Sequence, residues 1–246
     1  MTNYADVQFE YLLPWQLRER VASRPVAYIP LGTYEWHGEH LPVGLDSLTS
    51  HGLCLRAAMV DGGIAFPPHY YGTGGGHGAY PWTIIKDNPD EIESQLHFTL
   101  QRMETFGFKL AVLFSGHFAD TQLDMIDRVA SRWNSKDGAL KVFATAVNRI
   151  EGLAIGPDHA ALFETTLLVA MHPELVHLEN LADTPLPVDE NPFGTQRHDT
   201  AHPLYGIFGP DPRKFNPAQA KPLLDASVAW LVSQVRKHIP TKDQNT

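Results

Sequence analysis

A chain of 246 residues is long enough to bury most of the surface its unfolded form exposes, and no Ser/Gly-rich or charge-run linker divides it, so one domain over residues 1–246 is expected. Its 28 acidic against 19 basic residues, with a formal charge of −9, a pI near 5.8 and no Lys/Arg block, argue against nucleic acid or an anionic membrane surface as partner. The lone Cys54 excludes an internal disulfide, no apolar run reaches the ~18 residues of a membrane span, and the start MTNYADVQFEYLLPWQ lacks the basic-then-apolar pattern of a leader, so a cytoplasmic protein is expected.

In chain order, Val26 to Leu31 is a short apolar run and predicts a buried strand. Just beyond it, three carboxylates and two imidazoles fall within the twelve positions from Glu35 to Asp46. Hard and borderline divalent cations take carboxylate oxygen and imidazole nitrogen, and a carboxylate can bridge two ions, so this is the composition of a metal site. Glu35 and His37 stand two apart, which in extended backbone sends both to one face and Trp36 to the other. Gly38 and Gly44 permit tight turns, and Leu41-Pro42 stiffens the path that returns Asp46 to the same point. From Asp46 to Val60 apolar residues recur at helical spacing, which puts Asp46 at a helix N-terminus. A carboxylate also serves there as a cap, so both roles stand open for it.

Gly63 to Phe66 predicts a second strand. It runs into a loop, Pro67 to Gly78, so rich in glycine that a close approach to something is expected, although GTGGGHG matches neither a dinucleotide fingerprint nor a P-loop. On this rim His69, Tyr71 and His77 are candidates for substrate contact, the alternative being exposed loop residues without a role. Cys54, between Leu53 and Leu55, is expected as a buried apolar thiol. Asp90 to Phe106 predicts a helix stopped by Gly107, Leu110 to Phe114 a central parallel strand, and Thr121 to Trp133 another helix. His117, beyond that strand and freed by Gly116, is placed to reach a metal held by the first loop. Lys141 to Ala146 predicts a strand, Asp158 to Met171 a helix and Pro217 to His238 a C-terminal helix. Between the last two, Asp183 to Arg213 carries six prolines and reads as a lid or subunit arm. Alternating strands and helices predict an α/β fold on a mostly parallel sheet, with ligands at the carboxyl ends of the strands, where the loops after Leu31, Phe66 and Phe114 emerge.

Residues 30–46, PLGTYEWHGEHLPVGLD, resemble the signature P-L-G-[ST]-x-E-x-H-G-x-H-L-P-x-G-x-D of the creatininase (creatinine amidohydrolase) family. Phe114 to Asp120, FSGHFAD, is similar to the family's N-G-H-G-G-N or N-G-H-x-E-N, and Asp158 to Thr166, DHAALFETT, to its H-A-G-x-x-E-T-S. The resemblance implies a Rossmann-like three-layer α/β sandwich, one or two divalent ions (Zn²⁺, Mn²⁺ or Fe²⁺), and a homo-oligomer, commonly a hexamer. It implies Glu35, His37, Asp46 and His117 as metal ligands, Glu164 as a further ligand or a base acting on bound water, and His159 as general acid/base or a substrate-orienting group. With a helix from Asp158, His159 and Glu164 would stand about 1.4 turns apart, so His159 must lie in a frayed first turn to share a pocket. Ala119 stands where creatininase has a metal-binding Glu, Phe118 where it has a substrate-side Tyr, and Ile155 where a Trp covers creatinine; Ser115 and Asp120 each replace an Asn. These departures argue against creatinine itself as substrate.

A divalent metal lowers the pKa of bound water and polarises a carbonyl, and an imidazole or carboxylate then protonates the leaving group. The expectation is therefore a metal-dependent hydrolase that opens a small polar ring or cleaves a small amide. No Gly-x-Ser-x-Gly elbow or placed Cys suggests a covalent route. Three alternatives remain: hydrolysis of a carbon–carbon bond in a cyclic polyol ketone, as in relatives that open an inosose ring; a non-hydrolytic metal-dependent sugar isomerase or binding protein; and, given Ala119 and Ser115, a degenerate site in a structural subunit.

Overall fold

A computed structural model describes residues 3–75, 78–181, 191 and 194–240. The chain runs through α1 (Pro14–Ser23), β1 (Val26–Leu31), α2 (Leu45–Asp61), β2 (Ile64–Ala65), β3 (Gly72–Thr73), β4 (Ile85–Lys86), α3 (Asp90–Thr105) and β5 (Leu110–Ser115). It continues through α4 (Asp120–Asn134), β6 (Lys141–Ala146), α5 (Leu162–Val169) and α6 (Ala220–His238). The main sheet is parallel throughout, ordered β2-β1-β5-β6, with Val26 opposite Leu110 and Leu31 opposite Ser115 at its centre. Successive strand residues face opposite sides. Val26, Tyr28, Val112 and Phe114 pack with α2, α5 and α6, while Ala27, Ile29, Leu31, Ala111 and Leu113 pack with α3 and α4. Both faces of β1 and β5 are thus buried, which is why these strands read as unbroken apolar runs. The result is the expected three-layer α/β sandwich. Among the described residues no helix is long and apolar enough to cross a membrane, and Cys54 is buried, its thiol pushed up by desolvation.

Three elements differ from the sequence expectation. Helix α1 was not foreseen: it buries no residue completely, and its signal is confined to Pro14 at the first turn and Gln16, whose Oε1 accepts the Leu13 N–H at 2.8 Å. The pair β3-β4 has two residues per strand, too short for any periodicity. The helix expected from Asp158 begins instead at Leu162. Asp158 accepts the N–H groups of Phe163 at 2.7 Å and Glu164 at 3.3 Å from ahead of the helix, and Ala160 takes φ 54°, a left-handed conformation that a right-handed helix cannot contain.

Two glycines set α2 against the strand ends. A Cβ on Gly32 would fall 2.3 Å from the Ser47 nitrogen and one on Gly116 2.0 Å from the Asp46 carbonyl oxygen, so the first turn of α2 lies directly on the ends of β1 and β5. Gly116→Ala must push Asp46 away. Chemical denaturation should show a loss of about 1–3 kcal/mol, the range for an overpacked interior, and metal content should fall with it; unchanged stability would mean the two backbones have room to separate.

His51, on the side of α2, has a buried Nε2 without a hydrogen-bond partner, and burial, helped by the His172 charge, lowers its pKa to about 4. The unfolded chain takes up this proton near pH 6.5 while the folded chain refuses it, so stability is lost as pH falls from 6.5 towards 4. His51→Gln should flatten the decline of unfolding free energy between pH 7 and 5; equal slopes for both proteins would refute the assignment.

Candidate active site

At the carboxyl end of β1 the chain folds back on itself, with the Glu35 N–H donating to the Val43 carbonyl at 2.9 Å. Trp36 turns away from its neighbours as the alternation requires, and its indole N–H reaches the Tyr205 carbonyl at 3.0 Å. Glu35 and His37 are both buried. The Glu35 carbonyl lies 2.9 Å from His37 Nδ1; a carbonyl only accepts, so Nδ1 carries the proton and Nε2 is left for the site. His117 is held in the same way. Its Nε2–H donates to the Gly74 carbonyl at 3.2 Å, leaving Nδ1 facing Glu35 Oε2 at 3.0 Å and Asp46 Oδ2 at 3.3 Å.

Asp46 stands between the two imidazoles. Its Oδ1 is 3.3 Å from His37 Nε2, and Glu164 Oε2 approaches that same nitrogen at 3.5 Å. The capping role left open for Asp46 is not what the structure shows: Gly44 is the N-cap of α2, with no side-chain capping bond. Glu164 is buried and not a surface helix residue, its Oε2 accepting the Ala160 N–H at 2.6 Å.

Among the described residues, three groups of side chains have ligand atoms within 4.8 Å of one another: Glu35, Asp46 and His117; His37, Asp46 and Glu164; and Glu35, His37 and His159. Ligands about 2.0–2.1 Å from a shared tetrahedral ion stand about 3.3 Å apart, and the contacts here span 3.0 to 3.5 Å. Two buried atoms, His37 Nε2 and Asp46 Oδ2, have no hydrogen-bond partner, which native interiors rarely allow without an unshown ligand. The donor set and these two atoms fit divalent cations.

Electrostatics agrees. Burial opposes charge on His37, yet the carboxylates of Asp46 and Glu164 outweigh it and raise its pKa to about 10. His117 is also raised, against burial, by Asp46 and Glu35, and Asp46 is held low, against burial, by the two imidazoles. Burial pushes Glu164 well above the usual carboxylate range. A cation entering such a cluster replaces protons.

Glu35, Asp46, His117 and Glu164 line a cleft of about 460 Å³, walled also by Gly75, Phe118, Ala119, Asp120, Thr121 and His159, with His37 buried behind them. His159 lies outside α5, not in its frayed first turn: it forms a bridge with Phe208, its Nε2–H donates to the Trp36 carbonyl at 3.0 Å, and its ring centre is 4.6 Å from that of His37. The glycine-rich loop does approach closely, a Cβ on Gly75 falling 3.6 Å from His117 Cε1 and 3.7 Å from Glu35 Oε1. The rim residues fare differently. His69 is outside the cleft lining, bonded through its backbone to Pro30, Gly32 and Ser47. Tyr71 also stands outside it, exposed and edge-on to Tyr34. His77 lies outside the described residues. Ile155 is buried in the main core and covers nothing. Sequence reasoning missed Asp158, whose capping bonds orient the start of α5, and His40, buried on Thr165 Oγ1 at 3.2 Å; an Asp six residues ahead of Glu164 and a second His in the first loop were the available signals.

The profile of the creatininase family, described as creatinine amidohydrolase, matches residues 12–235. The chain belongs to the creatininase family. As a member it is a metal-dependent hydrolase. It is 25% identical over 225 residues to creatinine amidohydrolase of Pseudomonas putida, covering 82% of this chain and 81% of that protein. It is also 25% identical over 203 residues to 3-dehydro-scyllo-inosose hydrolase of Thermotoga maritima, covering 75% of this chain and 62% of that one. A crystal structure of creatininase superposes with a TM-score of 0.75 at 23% identity over 96% of this chain and 99% of that one, a likeness of fold.

Proposed function

We propose that Glu35, Asp46 and His117 hold one divalent ion, that His37, Asp46 and Glu164 hold a second, and that the protein hydrolyses a small polar cyclic substrate, opening a ring at an amide bond. The observation that carries this reading is the placement of Asp46, whose two oxygens face two different imidazoles while Oδ2 and His37 Nε2 lack hydrogen-bond partners. Zinc and manganese are the favoured ions: the oxygen-and-imidazole donor set suits both, and solved creatininases include a zinc–zinc form and a manganese form.

When bound, such ions bring the pKa of water to near 7 and polarise a carbonyl. The chain's own part is as follows. His37 and His117 are oriented by backbone carbonyls, so they present one nitrogen each without rearrangement. His159, with Nε2–H committed to the Trp36 carbonyl, takes or gives the proton at Nδ1, protonating the leaving nitrogen. Phe118 and Gly75 line the cleft, and Glu164 acts as a ligand and not as the base, because it sits with His37 and Asp46.

A second reading is hydrolysis of a carbon–carbon bond in a cyclic polyol ketone. It is favoured by the cleft lining, where Asp120 and Thr121 offer polar groups and Phe118 is the one Phe, Tyr or Trp ring. Metal analysis by mass spectrometry on the wild type and Glu35→Ala, followed by turnover of cyclic amides and cyclic ketones in heavy-oxygen water, tests both. One or two equivalents of metal, reduced in the variant, and label in a product carboxylate are expected; no metal after reconstitution would end the reading. Assembly into a cytoplasmic homo-oligomer belongs to the same proposal, supported by the exposed Tyr11, Leu13 and Trp15.

A further inference from the structure

Residues 205–209 are fastened to both walls of the site. The Tyr205 carbonyl accepts the Trp36 indole N–H at 3.0 Å, and the Trp36 carbonyl accepts His159 Nε2–H at 3.0 Å. Phe208 exchanges two backbone hydrogen bonds with His159, each 2.8 Å. The packing has no slack: a Cβ on Gly206 would fall 2.6 Å from Trp36 Cδ1, and one on Gly209 2.5 Å from Asp158 Cβ.

Arg197 secures this segment. Its guanidinium is 1% exposed, and among the described residues no other Lys or Arg is buried. One arm, Nη1, donates to the Ile207 carbonyl at 3.0 Å and the other, Nη2, to the Gly209 carbonyl at 3.1 Å, while the Arg197 carbonyl accepts the Gly206 N–H at 2.8 Å. The two carbonyls flank Phe208, the residue paired with His159. A rigid fork of donors can fix two carbonyls at once; a single ammonium cannot fix both with the same geometry.

We propose that Arg197 is the positioning residue for His159, clamping Ile207 to Gly209 so that Phe208 holds the His159 backbone and its imidazole stays over His37. The proposal rests on His159 carrying the proton in the reaction proposed above. Burying a guanidinium is expensive unless it is paired and hydrogen-bonded, and here its two Nη bonds set the place of a group where a displacement of about 1 Å can cost on the order of 10²-fold in rate.

The test uses the zinc-loaded protein with creatinine and 3-dehydro-scyllo-inosose as probe substrates. Arg197→Met should keep zinc content and KM while kcat falls by on the order of 10²-fold, with Arg197→Lys between it and the wild type. In a His159→Ala background the same change should cost nothing further, because both act through one imidazole. In histidine-labelled protein, the His159 ring signals should move in Arg197→Met while those of His37 and His117 stay. If neither probe is turned over, the ring signals alone decide this proposal. An equal loss in both backgrounds, unmoved His159 signals, or unfolding of both Arg197 variants would overturn it, the last because the role would then be stability alone.

Discussion

Asp46→Ala is expected to purify with less than about a tenth of the wild-type metal and to lose turnover by at least about 10³-fold, since the ions that activate water and polarise the carbonyl leave together. Asp46 is the residue common to the groups Glu35, Asp46, His117 and His37, Asp46, Glu164, so on the proposed assignment its removal takes one anionic ligand from each. The fold should survive, because Gly44 and not Asp46 caps α2. Mass spectrometry for metal, with thermal unfolding in the presence and absence of chelator, separates the outcomes. Wild-type melting in chelator together with lost metal is the expected pair; full metal occupancy in the variant would remove Asp46 from the site.

His159→Ala should do the opposite, keeping its metal and losing about 10²- to 10⁴-fold in kcat, the usual loss when a positioned acid or base is deleted. The reason lies in how His159 is held. Its Nε2–H goes to the Trp36 carbonyl and its backbone to Phe208, so the ring is oriented by protein atoms and does not depend on an ion. His159 also belongs to a third group with Glu35 and His37 that could take a cation. Metal loss in His159→Ala would therefore identify it as a ligand and transfer the proton step elsewhere.

Much of this was legible in the residues. The apolar runs of β1 and β5 announced buried parallel strands because both their faces are covered. Glu35, His37 and Asp46 announced a metal centre because ligand chemistry is a property of side-chain type, and the two-residue spacing of Glu35 and His37 carried the facing rule. His117 followed from the family motif it matches, its place at the end of β5 suiting a structural role equally well. Less was legible where the signal was short or remote. The two-residue strands β3 and β4 have no period to read, and the rim residues His69 and Tyr71 could be ranked only by type, with no indication of which way the loop turns.

By itself the sequence determined an α/β fold on a mostly parallel sheet and a first loop rich in carboxylate and imidazole, since periodicity and ligand type are local properties; the layered sandwich was what the family resemblance implied. The tertiary structure alone decided that Asp46 faces both His37 and His117 and does not cap, because Gly32 and Gly116 bring the start of α2 onto two strand ends. It decided, too, that His159 leaves the helix. Ala160 turns left-handed, Asp158 caps from ahead, and Phe208 and Trp36, 49 and 123 residues away, take up the backbone and the ring. Contacts at that separation have no spacing rule in the chain; they exist only once the sheet has placed the loops side by side.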